Sequence, residues 1–253
     1  MKNKKPQRIN PKIAFHLHRW HRRFGVISAL FLMLVSVTGL LLQHPEMFKL
    51  TQQNVSSSWL LNYYGIAPSK LGRTYQSGTT YFSQVDQRVY ANEQFVSDIK
   101  GELIGVHQLE SFIVIASNNQ ITLTTLELEK IDTFDYPPSI QLPVRNLSKD
   151  KSPLVFHAKN GLFSPDETFE HFKSIQFIRS PSWQETLTLP EAVKEHIIAD
   201  ARQQNLNYER VTLDLHSGRL LGAFGPLIMD FMAILFFILA VSGIWLWSRK
   251  KRW

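Results

Sequence analysis

Two long apolar runs dominate the pattern of hydrophobic and polar positions along the chain. Residues 24–42 read FGVISALFLMLVSVTGLLL without a charge, and residues 226–247 read PLIMDFMAILFFILAVSGIWLW with one charge, Asp230. At about 1.5 Å per residue, a helix of about 19 residues nearly crosses a hydrocarbon core of about 30 Å. The pattern therefore predicts two transmembrane helices.

A cleaved signal peptide is the alternative interpretation of the first run. The run is too long for a signal-peptide core, and the flank QHPEMF lacks an A-x-A-like cleavage site. We therefore interpret residues 24–42 as an uncleaved span.

Between the two runs, short alternating or apolar segments predict β-strands. They include TTYFSQVDQRVYA, GELIGVHQLESFIVIASN and NQITLTTLELEKID, punctuated by Asn, Gly and Asp. The dipeptides Asn118-Asn119 and Asn160-Gly161 indicate hairpin turns, and prolines at positions 137, 138 and 143 indicate a loop between two β-rich halves.

The end of this central region changes period. Residues 190–203 have apolar positions at helical spacing, and we expect a helix that begins after Pro190. The segment YERVTLDLH that follows alternates, which predicts a strand. The predicted fold class is a membrane protein in which two transmembrane α-helices flank a mostly antiparallel α+β periplasmic domain.

The net charge of +7 acquires its meaning from its distribution. All acidic residues except Asp230 lie between the spans, and the outer flanks carry only basic charges. The basic flanking residues are Lys2, Lys4, Lys5, Arg8, Lys12, Arg19, Arg22, Arg23, Arg249, Lys250, Lys251 and Arg252. Because basic flanks stay in the cytoplasm, we expect both termini there and the central domain in the periplasm. The chain is expected in a bacterial inner membrane, in contact with lipid and without a nucleic-acid partner.

These features divide the chain into five predicted segments. They are a basic cytoplasmic tail (1–23), the first span (24–44), a β-rich α+β periplasmic domain (45–215), a periplasmic helix start with the second span (216–247), and a second basic tail (248–253).

Any metal or haem in this chain must be held by His, carboxylate, Met or Tyr, and histidines cluster near the spans. The chain has nine histidines and no cysteine, which excludes disulfides, iron–sulfur clusters, thiolate metal sites and covalently attached c-type haem. His16, His18 and His21 precede the first span, His44 closes it, and His216 introduces the second. An imidazole near hydrocarbon needs a partner, and haem iron is one such partner. The alternative is interfacial histidine that is solvated or bound to lipid headgroups.

Helical geometry separates two of these histidines. His21 and His44 are 23 residues apart, which corresponds to about 35 Å of helix and an angle of about 140°. They therefore belong to two sites at opposite membrane edges, or only one of them belongs to a site.

Small and acidic residues near the spans complete the candidates. Gly218 and Gly222 form a G-x-x-x-G, a spacing that lets a helix or a flat macrocycle approach the backbone. Gly39 and Gly243 lie in matching contexts, VTGLLL and VSGIWLW. Asp230 is either a functional intramembrane acid or a hydrated helix-end residue. The four histidines of the central region show no metal-ligand spacing, and the motifs of ATPases, Rossmann dehydrogenases, serine hydrolases and zincins are absent.

The membrane-edge motifs resemble the PepSY-associated transmembrane family. The motif HRWHRRFG leads into an apolar helix that closes with TGLLLQH, and the second span is bracketed by DLHSGRLLG and VSGIWLWSRKKR. Residues 190–216 resemble the last part of a PepSY module. Family members include inner-membrane reductases that move electrons through b-type haem, some of which reduce ferric siderophores. Small two-helix members are similar to ferric reductases that supply ferrous iron to an uptake transporter.

The resemblance implies haem b as cofactor and ferric iron or a ferric chelate as substrate. It implies that His44 and His216 hold an outer haem iron, and that His21, paired with its dimer mate or with His18, holds an inner one. Arg219 would offset haem propionates or attract an anionic chelate. Two helices cannot enclose a haem, so we expect a homodimer that forms a four-helix bundle.

Two other functions remain open at this point. One is a non-catalytic, membrane-anchored PepSY-type binding or regulatory module, which needs no haem and whose membrane-edge histidines tolerate substitution. The other is a metal-binding accessory of a transporter, which binds metal in the central domain without redox activity.

Overall fold

The computed structural model describes residues 11–150, 153–176 and 181–250. The predicted tails at residues 1–10 and 251–253 lie outside the described residues. The chain divides into two compact units. The helical unit comprises the residues up to Ser56 together with those from Leu206 onward, and the β unit comprises Ser57–Asn205.

The helical unit contains two helices that are long and apolar enough to cross a membrane. Helix α1 spans Pro11–Gln43, and the segment Tyr208–Ser248 contains the second candidate. Only 11% and 6% of their apolar windows are buried, so neither is the core helix of a soluble domain. The two predicted spans are confirmed as membrane-spanning candidates, and helix α1 extends through the basic stretch before residue 24.

The two chain segments of the helical unit are hydrogen-bonded to each other where the β unit begins and ends. Just after α1, the Val55 amide donates to the Leu206 carbonyl at 2.8 Å, and the Tyr208 amide donates to the Gln53 carbonyl at 3.1 Å. Asn54 and Asn207 form an antiparallel bridge between these bonds. The β unit is therefore an insertion between two chain segments that are hydrogen-bonded to each other.

The β unit begins with helix α2 at Ser58–Tyr63 and ends with helix α3 at Glu191–Gln203. The α3 prediction is confirmed. In the described residues between these helices there are twelve strands: β1 Leu71–Ser77, β2 Thr80–Val85, β3 Arg88–Ala91, β4 Gln94–Asp98, β5 Leu103–Gln108, β6 Ile113–Ser117, β7 Gln120–Thr124, β8 Lys130–Asp135, β9 Asn146–Leu147, β10 Phe156–Ala158, β11 Gly161–Pro165 and β12 Phe172–Ile175.

The segment YERVTLDLH is a helix, so the predicted strand is wrong. Helix α4 spans Tyr208–His216, and the Asn207 side chain caps it by accepting from the Arg210 amide. Arg210 Nε bonds Asp214 Oδ2 at 2.9 Å, one turn along the helix. Asp214 is buried where α4 packs against α1. A local cap and this packing outweigh the alternating, β-branched pattern.

A short 3-10 helix at Arg219–Phe224 connects α4 to helix α5, which spans Gly225–Lys250. Gly218 and Gly222 both have positive φ, at 78° and 66°, and Gly222 combines it with a ψ of −147° that only glycine adopts readily. The predicted G-x-x-x-G pair therefore lies in a turn and not on the face of a regular helix.

The strands form three antiparallel sheets of four consecutive strands each. The predicted turns at Asn118-Asn119 and Asn160-Gly161 are confirmed, because they connect β6 to β7 and β10 to β11. β6 and β7 are buried on both faces, which explains their continuous apolar runs. One apolar cluster joins the first sheet to the second, and another joins the second to the third. The mostly antiparallel α+β domain is confirmed.

The first strands of the three sheets are neighbours, as in the blades of a propeller. Strand β5 packs beside both β1 and β9, and an added Cβ at Gly105 of β5 would lie 2.7 Å from Leu147 Cβ of β9. The extended segment 182–187 contacts all three first strands. The Leu187 amide donates to Thr74 of β1, and Gln184 bonds the backbone of Val106 in β5 and of Leu147 and Ser148 at β9.

We expect Gln184→Leu to lower the free energy of unfolding by about 2–4 kcal/mol, because buried amide and carbonyl groups at Val106 lose their partner. Gln94→Leu, at an exposed position of β4, is the matched control. The measurement is urea-induced unfolding of the full chain in detergent. Equal midpoints for the two variants would contradict the bridging role of Gln184.

Burial raises the pKa of the Tyr90 phenol, and its hydrogen bond to Asp200, with O–H donating at 2.8 Å, raises it further. Unfolded tyrosine has a pKa of about 10, so the unfolded chain ionises first as the pH rises. This contribution to stability is full below about pH 10 and is lost above it. We expect Tyr90→Phe to reduce the fall in unfolding free energy above about pH 10.

Candidate functional site

His216 contacts helix α1 at one end of the helical unit. It is the last residue of α4, and its Nδ1 is 2.8 Å from Thr38 Oγ1 of α1. The next residue of α1 is Gly39, where an added Cβ would lie 3.3 Å from His216 Cε1. The missing side chain at Gly39 therefore makes room for the imidazole. We call Thr38 with Gly39 the first seat.

His21 occupies the equivalent position at the other end. This residue of α1 has its Nδ1 2.9 Å from Ser242 Oγ of α5. An added Cβ at Gly243 would lie 3.5 Å from His21 Cε1. Ser242 with Gly243 is the second seat, and it repeats the hydroxyl-then-glycine order of the first.

The two seats make the helix pair nearly equivalent end to end. Each span carries the sequence Val-Thr/Ser-Gly, and each seat holds a histidine that precedes the opposite span. His21 and Thr38 are 17 residues apart on α1, which places the seats about 26 Å apart along the helix. This separation is close to the thickness of a hydrocarbon core, which is about 30 Å.

Both seat hydroxyls also contact a carbonyl of their own helix. Thr38 Oγ1 is 2.9 Å from the Leu34 carbonyl oxygen, and Ser242 Oγ is 3.0 Å from that of Leu239. Such back-bonding satisfies a hydroxyl inside a transmembrane helix. It also keeps the oxygen in a fixed position under the imidazole.

The turn after His216 depends on backbone contact between two glycines. An added Cβ at Gly218 would lie 2.7 Å from the Gly225 carbonyl oxygen. Gly222 has open space around its Cα, with no heavy atom within 4 Å of an added Cβ. Arg219 follows His216 by three residues, and its side chain is exposed. The cofactor-binding roles of Gly218, Gly222 and Arg219 stay predictions.

The other predicted ligands are not held by a seat. His44 lies one residue beyond α1 and is exposed, and His18 is exposed on α1, three residues before His21. Asp230 is exposed on α5. Within residues 11–150, 153–176 and 181–250, no group of three or more His, Asp or Glu side chains could hold a metal ion. A ligand role for His18 or His44 stays a prediction.

The seated histidines fit the donor chemistry of a haem site. A metal-bound imidazole usually hydrogen-bonds a neighbouring group through its second nitrogen, which fixes the ring orientation. Nδ1 of His21 and of His216 makes such a bond, and Nε2 makes no hydrogen bond to the described part of the chain. Both histidines are half-buried.

Sequence reasoning missed the two seat hydroxyls. The matching contexts of Gly39 and Gly243 were visible, but nothing in them pairs one span with the histidine of the other. The repeated Val-Thr/Ser-Gly in two antiparallel spans was the available signal. Thr38 and Ser242 are the functional candidates that the structure adds.

Comparisons with known proteins give one match. The family model described as the PepSY-associated TM region matches residues 129–253. The match includes His216 and the second seat, whereas His21, His44 and the first seat lie before it. No curated protein and no solved structure matches the chain.

We expect the double variant Thr38→Cys/His216→Cys to react with a short methanethiosulfonate cross-linker within one chain, because the two native side chains are in contact. The chain has no native cysteine, so the background is low. Peptide mass spectrometry of the protein in nanodiscs identifies the link. Ser242→Cys/His21→Cys is the equivalent variant at the other seat.

Val37→Cys/His216→Cys is the matched control. Val37 is 58% exposed and lies about 100° around α1 from Thr38. Cross-linking at the control position equal to that at Thr38 would contradict the seat, and a link found only between copies would contradict pairing within one chain.

Proposed function

We propose, from the match of residues 129–253 to the PepSY-associated TM region family, that this chain is a transmembrane electron-transfer protein that carries b-type haem and reduces ferric iron. The observation that carries the proposal is the pair of seated histidines. One imidazole at each end of the helix pair is held through Nδ1 by a hydroxyl of the opposite span. Both Nε2 atoms are left for a ligand.

The orientation follows from the charges that flank the spans. Basic residues surround the end that carries His21, and positive flanks stay in the cytoplasm. His21 then serves the cytoplasmic edge of a bacterial inner membrane and His216 the periplasmic edge. The β unit is periplasmic in this topology, where ferric iron or a ferric chelate is the substrate.

Bound haem supplies a one-electron carrier whose potential depends on its axial ligands and their hydrogen bonds. The protein supplies the rest. His21 and His216 would hold the group through Nε2 at opposite membrane edges, and the seat glycines leave room for each ring against the other span.

Each seat provides one histidine per chain, so a second ligand is needed. In a homodimer, two copies of the helix pair make a four-helix bundle, the architecture that commonly holds cofactors between facing helices. The second ligand is then the same histidine of the second copy, or His44 beside His216 and His18 beside His21. A dimer also covers part of the exposed apolar surface of α1 and α5.

Arg219 is suited to bind an anion beside His216, and ferrous iron is the product of the proposed reaction. The exposed guanidinium three residues after His216 suits a haem propionate or an anionic ferric chelate. Reduction releases ferrous iron on the periplasmic side, where a ferrous iron transporter is the fitting partner.

We expect the purified protein to have a Soret band, with sharp α and β bands after dithionite reduction. His21→Ala and His216→Ala should each lower the haem content to about half, and the double variant should be colourless, because each removes one site. His196→Ala, exposed on α3, is the matched control. Absorption spectra and pyridine haemochrome content are the measurements, followed by ferric reduction in proteoliposomes.

A wild-type protein that stays colourless when haem is supplied during expression would overturn the proposal. The membrane-anchored PepSY-type binding or regulatory module would then be favoured. Full haem and full ferric reduction in both His44→Ala and His216→Ala would overturn the outer ligand assignment.

A further inference from the structure

We propose that Thr38 and Ser242 are positioning residues that fix which ring nitrogen of His216 and His21 carries the hydrogen. Each hydroxyl would hold its histidine with hydrogen on Nδ1, leaving an unprotonated Nε2 as the ligand atom. The inference deepens the proposed function, because it assigns the residues that prepare the two imidazoles for iron.

The argument starts from the number of hydrogens at each seat. A hydroxyl has one hydrogen to donate and two lone pairs that accept. Thr38 Oγ1 is 2.9 Å from the Leu34 carbonyl oxygen and 3.1 Å from that of Val35, and Ser242 Oγ is 3.0 Å from that of Leu239. A carbonyl oxygen only accepts, so the hydroxyl hydrogen points to its own helix.

The imidazole contact then has only one favourable direction. Because the hydroxyl hydrogen is already donated, the bonds at 2.8 Å to His216 and 2.9 Å to His21 need an N–H from the ring. The opposite tautomer has one hydrogen bond fewer at the seat. It also leaves Nε2–H without an acceptor in the described part of the chain, at the edge of an apolar bilayer where that is costly.

The glycine of each seat leaves space for one edge of the ring. Cε1 lies between the two ring nitrogens, and it is the ring atom nearest to the position of a Cβ at Gly39, at 3.3 Å, and at Gly243, at 3.5 Å. The hydroxyl therefore holds Nδ1 while the glycine backbone supports the neighbouring edge. With both constraints, Nε2 has a defined direction before any ligand binds, which reduces the cost of ordering it on binding.

The test is ¹⁵N NMR of the haem-free full chain, labelled at histidine and embedded in nanodiscs at about pH 8.5, where an ordinary imidazole is neutral. Protonated and unprotonated ring nitrogens give separate signals, and His216→Gln and His21→Gln assign them. We expect both seated histidines of the wild type to carry hydrogen on Nδ1. Thr38→Val should shift the tautomer ratio of His216 toward Nε2–H by roughly 3- to 10-fold, the equivalent of one net hydrogen bond.

Three comparisons separate positioning from a general packing effect. Thr38→Ser should restore the wild-type ratio, and Ser242→Ala should shift His21 but not His216. Ser28→Ala removes another buried hydroxyl of α1, which contacts no histidine in the described structure, and should change neither ratio. Hydrogen on Nε2 in the wild type, or a Thr38→Val ratio equal to that of the wild type, would overturn the inference.

The haem-free measurement keeps the two proposals separable. A colourless protein with the expected tautomers would overturn the proposed function and leave the positioning role standing. In the haem-loaded protein, Thr38→Val should shift the midpoint potential of one haem and leave that of the other unchanged. Unchanged potentials in both Thr38→Val and Ser242→Ala would overturn the role of the seats toward haem.

Discussion

Two apolar helices in a bilayer gain little by burying leucine against leucine, because lipid tails are equally apolar. Polar and small-residue contacts therefore decide how they associate. In this protein those contacts are the hydroxyl–imidazole bonds at the two seats, each beside a glycine that admits the ring. The same contacts join the spans and orient the histidines. Helix packing and ligand placement are thus one structural feature, and a change at a seat affects both.

The two seats are similar although the number of residues between the histidine and the hydroxyl residue differs between the two spans. His21 precedes Thr38 by 17 residues of one continuous helix, whereas His216 precedes Ser242 by 26 residues that include a 3-10 helix. The extra residues form the turn between α4 and α5, where φ is positive at Gly218 and Gly222 and the backbone of Gly218 approaches that of Gly225 closely.

In the β unit, too, a few polar contacts connect separate elements. The first strand of each of its three sheets has one edge that is not paired within the sheet. Backbone groups on such an edge need another partner when they are buried. Segment 182–187 crosses all three first strands, and the amide of Gln184 serves as donor and acceptor where two of them meet. The chain segments before and after the β unit are hydrogen-bonded to each other at Val55 and Leu206. The two segments of the helical unit are therefore connected directly as well as through the β unit.

Local patterns in the sequence determined the spans, α3, the hairpin turns and the placement of histidines near the membrane edges, because periodicity and turn chemistry act over a few residues. Tertiary structure decided the rest. The segment Tyr208–His216 alternates like a strand and becomes a helix through its cap and its packing on α1. The seats join residues 221 and 178 positions apart. Sequence periodicity over a few residues cannot predict such a pairing. The pairing forms only when two antiparallel helices pack side by side and bring distant residues into contact.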